Sequence, residues 1–308
     1  MHRLTCSLIK SSIFLESKIR ELRSKTELKF PSAVNLTETA WPNGSLMRKI
    51  TLVLLLLTCC LTGLSPRTVT AQNQTCLKHF ADGKAPVFTR ASLQNRSVAI
   101  CYEAFAVMHS GVSRTPLWSA EYLTRNSLVQ AREVKRKDAF HADENLPPDQ
   151  RAELSDYAHS GYDRGHMSPA ADMPTEEAQH HSFSLANIVP QNREHNQILW
   201  SAIEGATRHL VNQRGELYVI TGPVFEGDRI ARINERVFIP THIFKAIYDP
   251  VKKEGAAWLS PNAAGFAYDV ISLSELEKRI GITLFPSVSL DVKSKMISLP
   301  EPRIRSRK

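Results

Sequence analysis

The sequence predicts an α+β fold built on a mainly antiparallel sheet, and three observations carry that reading. Strand-like runs outnumber helical ones. They do not alternate with helices as parallel βαβ units require. Between residues 72 and 308 no repeat, low-complexity tract or Gly/Ser linker divides the chain, so that span reads as one domain.

Taken in order, residues 97–110 (SVAICYEAFAVMHS) are rich in β-branched, aromatic and small apolar side chains and read as a strand, with residues 117–123 as its partner. Residues 125–160 are polar, with a charge cluster from Arg132 to Asp138 and the pair Pro147-Pro148, and read as a long surface loop with some helix. The cations there fit a solvated face first and the steering of an anionic substrate second. From residue 192 to 213 the apolar positions Ile198, Leu199, Ile203, Ala206, Leu210 and Val211 recur at three and four residues, which predicts an amphipathic helix ended by Gly215. Residues 217–221 (LYVIT) form a buried strand stopped by Gly222-Pro223. Residues 236–248 give one or two more strands and residues 255–259 another. Ser272 to Glu275 is a capping box that opens a helix running to Ile280, with Gly281 as its stop.

The 308 residues are 42% hydrophobic and 23% charged, an ordinary globular balance. The net charge of +8 is concentrated at the start. Residues 1–71 hold 10 Lys and Arg against 4 Asp and Glu, which leaves 29 against 27 for residues 72–308. Net charge is therefore poor ground for nucleic-acid binding. Met47-Arg48-Lys49 followed by an apolar run over residues 50–64 and by Val69-Thr70-Ala71 has the order of a secretory signal peptide over residues 47–71, cleaved near Ala71. Residues 1–46 then read as an over-extended start, and the expected address is secreted or periplasmic, with no stable membrane association after cleavage. An uncleaved anchor or a lipoprotein at Cys59 are the alternatives. Past the leader only Cys76 and Cys101 remain, and an oxidising compartment would pair them; two free buried thiols are the other reading.

Residues 161–173, GYDRGHMSPAADM, crowd Asp163, Arg164 and His166 around one glycine. Gly165 would let the backbone turn so that neighbouring side chains reach one point. Histidine is the natural base near neutral pH and arginine a fork-shaped phosphate donor. Downstream, Asn196, Trp200, Glu204 and Arg208 step by four, a slowly turning helical stripe able to face one cleft. An amide and a carboxylate are hard oxygen ligands suited to Mg²⁺. Each piece also has a plain structural reading: a hydrogen-bonded His after a turn, and a surface ion pair between Glu204 and Arg208.

Together, DRGH, PAAD, the L-x-N-x-x-P-Q run from Leu185 to Gln191, and N-x-x-x-W-x-x-x-E from Asn196 to Glu204 resemble the DNA/RNA non-specific endonucleases, the ββα-metal nucleases, most strongly over residues 162–208. The resemblance implies a nuclease acting on DNA and RNA with one Mg²⁺ ion, Mn²⁺ substituting, and 5′-phosphate products. On it, His166 is the general base, Asn196 the direct metal ligand, and Glu204 the holder of a metal-bound water. Arg164 and Arg208 lie near the phosphate, Asn187 is a supporting amide, and Asp163 keeps the loop in shape. Ser184 and Ala186 depart from the residues common around the L-x-N element, and His180, His181, His195 and His209 match no role. A non-catalytic nucleic-acid binder and a phosphodiesterase for smaller substrates are the alternatives.

Overall fold

Ten consecutive residues, Thr115–Thr124, form a strand buried along almost its whole length, which places it in the interior of a sheet covered on both faces. The computed structural model describes residues 76–304. The leader reading over residues 47–71 and the reading of residues 1–46 lie outside the described residues.

In chain order the strands are β1 (Val87–Phe88), β2 (Ser97–Cys101), β3 (Phe105–Ser110), β4 (Thr115–Thr124), β5 (Asp163–His166), β6 (Ile188–Gln191), β7 (Glu216–Val224), β8 (Arg232–Ile233), β9 (Val237–Phe238), β10 (His242–Asp249), β11 (Glu254–Pro261), β12 (Asp269–Ile271) and β13 (Ile282–Thr283). The helices are α1 (Arg125–Glu133), α2 (Leu154–Tyr157), α3 (Glu176–Ser182), α4 (Ser201–Arg214), α5 (Leu273–Ile280) and α6 (Leu290–Ser294). A seven-stranded sheet runs β12-β11-β10-β7-β4-β3-β2, and every pairing in it is antiparallel. The fold is α+β with a central antiparallel sheet, as the sequence predicts.

Period-two alternation divides the core. Trp118, Ala120, Ile220, Phe244, Ala246 and Leu259 point to one face, packed by Leu273 and Leu276 of α5, by Phe285 between α5 and α6, and by Phe80. Leu123, Leu217, Val219, Ile243, Ile247 and Trp258 point to the other, under Leu199, Trp200, Ile203 and Leu210. Alternation puts Ser119, Glu121, Thr221 and Lys245 on this second face, the one beneath the candidate site; all four are buried to 1% exposure or less.

Three elements differ from expectation. Residues 97–110 are two strands, because the chain turns back between Cys101 and Phe105 and pairs Cys101 with Ala106. The strand after Gly215 does not stop at Gly222-Pro223. It continues to Val224, since Pro223 faces only β10, while the pairing with β4 has already ended at Thr221, so the missing N–H breaks no ladder. The helix before Gly215 begins as a π-helix, His195–Trp200, and becomes α only at Ser201. Its end holds: Gly215 has φ +103 and its N–H bonds Val211 O. Likewise Ser272 caps α5 through Glu275 N, and Gly281 closes it in the left-handed region. Cys76 and Cys101 are disulfide-bonded, their Cα atoms 5.7 Å apart. Among the described residues no helix is long and apolar enough to cross a membrane.

Candidate active site

Strands β5 and β6 pair with Asp163 opposite Gln191 and His166 opposite Ile188, and the π-helix and α4 follow, giving a ββα unit set on the sheet's second face. Gly165 acts here through clearance. A side chain at 165 would lie 2.6 Å from Gln191 Cβ and collide with its Oε1. The sharp turn expected at this glycine is absent: the residue lies within a regular strand and has no positive φ. What brings Arg164 and His166 together is strand alternation, which sends positions two apart to one side.

The His166 ring is 8% exposed and is held by aromatic walls, with Phe140 at 5.3 Å and Phe183, edge-on, at 5.0 Å. Its buried Nε2 has no hydrogen-bond partner. Arg164 covers the same Phe140 ring, its guanidinium carbon 4.2 Å from the centroid. Burial, then the charges of Arg136 and Arg164, pull the imidazole down to about 3, so His166 is neutral at physiological pH.

Asn196 sits in the π-helix and its Nδ2 donates to Asp163 Oδ2 at 3.1 Å. The amide nitrogen being taken, the Oδ1 lone pairs are turned away from Asp163. The same carboxylate accepts from Gln197 at 2.9 Å and pairs with Arg193 at 3.2 Å, and these bonds hold it below its ordinary range against burial. A π-turn repositions side chains relative to an α-helix and is frequent at functional sites. It also breaks the expected four-residue stripe. Trp200 faces the core at 1% exposure and stacks at 5.7 Å on His195, while Asn196, Glu204 and Arg208 are only half-buried.

Asn187 is fully buried. Its Nδ2 donates to Ser168 O (2.8 Å) and Ser182 O (2.9 Å), and its Oδ1 accepts from Ser168 N (3.0 Å). Its polar atoms are spent on the backbone of Ser168, two residues beyond His166, and of Ser182, so it ties those segments together and presents nothing outward. His195, fully buried, bridges Gln191 (2.8 Å) and Ser260 (2.9 Å), the local bonding its lack of a matching role predicts.

Arg208 donates to Asp172 Oδ1 at 2.9 Å. Burial would lower this guanidinium, but Asp172, Glu204 and Glu121 outweigh it and hold it above its ordinary range. Burial lifts the Glu204 carboxyl against the pull of Arg208 and Lys245. Beneath them is a polar layer that sequence reasoning missed. Glu121 is wholly buried with neither carboxylate oxygen hydrogen-bonded, and burial followed by repulsion from Asp172 raises it well above the carboxylate range. Lys245 donates to Thr221 Oγ1 at 2.6 Å and stands 5.6 Å from the Trp200 ring. The signal existed: both charges occupy inward positions of otherwise apolar strands, in LWSAEYL and IFKAIY. Phe140 and Arg136 were also passed over, inside a segment read as a surface loop.

A site with Asn196 as sole direct ligand calls for a hard, well-hydrated cation, and the donors fit one. Asn196 offers a free amide oxygen and Glu204 a half-buried carboxylate, whereas among the described residues no cluster of three His, Cys, Asp or Glu suits a metal cage.

The comparisons agree with this geometry. The zebrafish (Danio rerio) mitochondrial nuclease EXOG is 32% identical over 209 residues, covering 61% of this chain and 60% of that protein. Nuclease C1 of Cunninghamella echinulata var. echinulata is 32% identical over 208 residues, 61% of this chain and 82% of its own. The mitochondrial nuclease 1 of Schizosaccharomyces pombe is 35% identical over 171 residues, about half of each chain. The chain thus spans about half to three fifths of the mitochondrial relatives. A chain in the crystal structure of the EndoG/EndoGI complex has a similar fold, with a TM-score of 0.56 and 23% identity over 65% of this chain and 92% of that one.

These relatives correct one expectation. The zebrafish, fission-yeast and Saccharomyces cerevisiae relatives are mitochondrial proteins, and that finding overturns the secreted or periplasmic expectation. The error has a chemical root, because a basic, acid-poor leader is shared by secretory and mitochondrial targeting segments, and residues 1–71 have that composition. The model describing the DNA/RNA non-specific endonucleases matches residues 84–291, two thirds of the sequence and the whole of the ββα unit, and the chain belongs to that family.

Proposed function

We propose that this protein hydrolyses phosphodiester bonds in both DNA and RNA, with His166 as general base and 5′-phosphate products. The observation that carries the reading is His166 itself: a neutral imidazole with an uncommitted Nε2, beside the guanidinium of Arg164. Neutral imidazole takes a proton from the attacking water, typically worth about 10²–10⁴-fold in rate. Arg164 and Arg208 stabilise the negative charge that grows on the phosphate, and Asp172 fixes the direction of Arg208. Asn187 holds the backbone after the base, and Asp163 aims the Asn196 oxygen outward.

Asn196 would hold Mg²⁺, or Mn²⁺ in its place, and Glu204 would hold one of the ion's waters. When bound, such an ion supplies Lewis-acid neutralisation of the phosphate and of the departing 3′-oxygen. The motifs that build the site contain no base-reading element, so backbone-directed, sugar-tolerant cleavage is the expectation.

The test incubates the purified protein with supercoiled plasmid and with RNA, in Mg²⁺ or in EDTA, beside His166→Ala. Degradation of both substrates in Mg²⁺ that falls at least about 10²-fold in the variant supports the assignment. A folded wild type that binds DNA without cutting it would place the chain among non-catalytic binders. Cleavage confined to small phosphodiesters would reassign its substrate.

A further inference from the structure

Two grooves open on either side of Arg208, and both are floored by Gly205 and His209 of α4. One, of about 440 Å³, lies between α4 and α1, and its polar lining is made of Arg132, Arg136, Gln179, Arg208, His209 and Asn212, without a carboxylate. The other contains Glu301. We propose that the first groove is a subsite for a phosphate of the nucleic-acid strand next to the one being cleaved, and that Gly205 is the saddle over which the strand reaches it. This rests on the nuclease reading above.

The groove is built from donors. Gln179 is 4% exposed; its Oε1 accepts from Lys137 N at 2.8 Å, and its Nε2, which makes no hydrogen bond among the described residues, remains as a donor. Arg132 closes the last turn of α1 and forms no ion pair among the described residues. Arg136 stacks over Phe183 at 5.3 Å, the ring that walls His166, so the groove begins where the reaction site ends. Arg136 is also paired with Asp138 at 2.7 Å and Arg208 with Asp172 at 2.9 Å, so Arg132 and the Gln179 amide are the donors left open, and a guanidinium fork beside an amide N–H is the chemistry of phosphate recognition. The volume is within the range of small-ligand sites, about 300–1,000 Å³.

Gly205 supplies an independent argument. It stands inside α4, where glycine is the poorest residue after proline. No packing demand explains it, because a Cβ built there meets nothing within 4 Å, and its φ is ordinary. The open space above it is the groove itself. A side chain at 205 would help the helix and obstruct the strand.

The experiment measures a fluorescent 20-mer oligonucleotide binding to the full chain in EDTA across a salt series. It also measures Mg²⁺-dependent cleavage of dithymidine monophosphate, which has one phosphodiester and no flanking phosphate. Arg132→Ala should weaken 20-mer binding about tenfold and lower the slope of log Kd against log salt by about one. Gly205→Leu should weaken it similarly while leaving the melting temperature equal or higher. Neither should change dinucleotide cleavage. Wild-type 20-mer affinity in both variants, or an equal loss on the dinucleotide, would overturn the subsite. If wild type cleaves nothing yet the variants bind more weakly, the nuclease reading falls and the groove stands. If wild type cleaves and the variants bind as it does, the reverse holds.

Discussion

At the scale of single residues, the proposed base and the amide that holds its segment behave differently from their ordinary counterparts. His166 lies near 3, far below a free imidazole, so its basic form persists through the acid range. The acid side of kcat/KM for plasmid cleavage should therefore be flat from pH 7 to pH 5 as far as this group is concerned. A limb centred near 6.5 in steady-state rates would show that the ring is solvated in the working enzyme. Asn187→Ala removes three hydrogen bonds and leaves the Ser168 N–H and two carbonyls buried without partners. It should cost about 3 kcal/mol in urea unfolding, and kcat of the molecules still folded should fall as well, because the segment after His166 loses its tether. Residue identities at the site were legible because motif residues have fixed chemistry. Their division of labour was not, since no spacing reveals that the Asn187 amide is saturated while that of Asn196 is half free.

Among elements, the contact that matters is between β5 and the π-helix. Asp163 gathers Arg193, Asn196 and Gln197 onto one carboxylate, and Asn196 owes its orientation to that strand. Asp163→Ala should leave KM for DNA nearly unchanged and raise the Mg²⁺ concentration for half-maximal rate by about 10–100-fold, the usual cost of losing a residue that orients a ligand. An unchanged metal titration would show that Asn196 is held by the helix alone. The long strands of the central sheet were readable from apolar runs, whereas β5 and β6 were not, because the polar DRGH segment reads as a turn. The hairpin inside residues 97–110 was not, because Tyr102, Glu103 and Ala104 interrupt the run without a glycine or proline. The π-turn was equally hidden: its apolar spacing also fits an α-helix, and the extra residue shows only in the backbone bonds.

For the whole molecule, the disulfide ties the first described residues to β2, the edge strand of the sheet, and Phe80 just beyond it packs in the core face opposite the site. The bridge closes a separation of 25 residues. On the chain-entropy view, reduction should lower unfolding free energy by about 3 kcal/mol, measured as a shift of the denaturant midpoint. Nuclease activity of the molecules still folded should be unchanged, since the bridge and the site lie on different parts of the sheet. The division of that sheet into a plain apolar face and a face with a buried polar layer was out of reach of sequence, because it depends on which strands become neighbours. The π-turn also sets a rule about chain length. It is a helix with one residue too many, and deleting one residue between Asn196 and Trp200 would let it relax into regular α-helix, turning everything before the deletion by about 100°. Asn196 would then swing off Asp163. Relatives that keep the chemistry should thus tolerate new side chains at exposed Gln197 far more readily than a change in the number of residues around it.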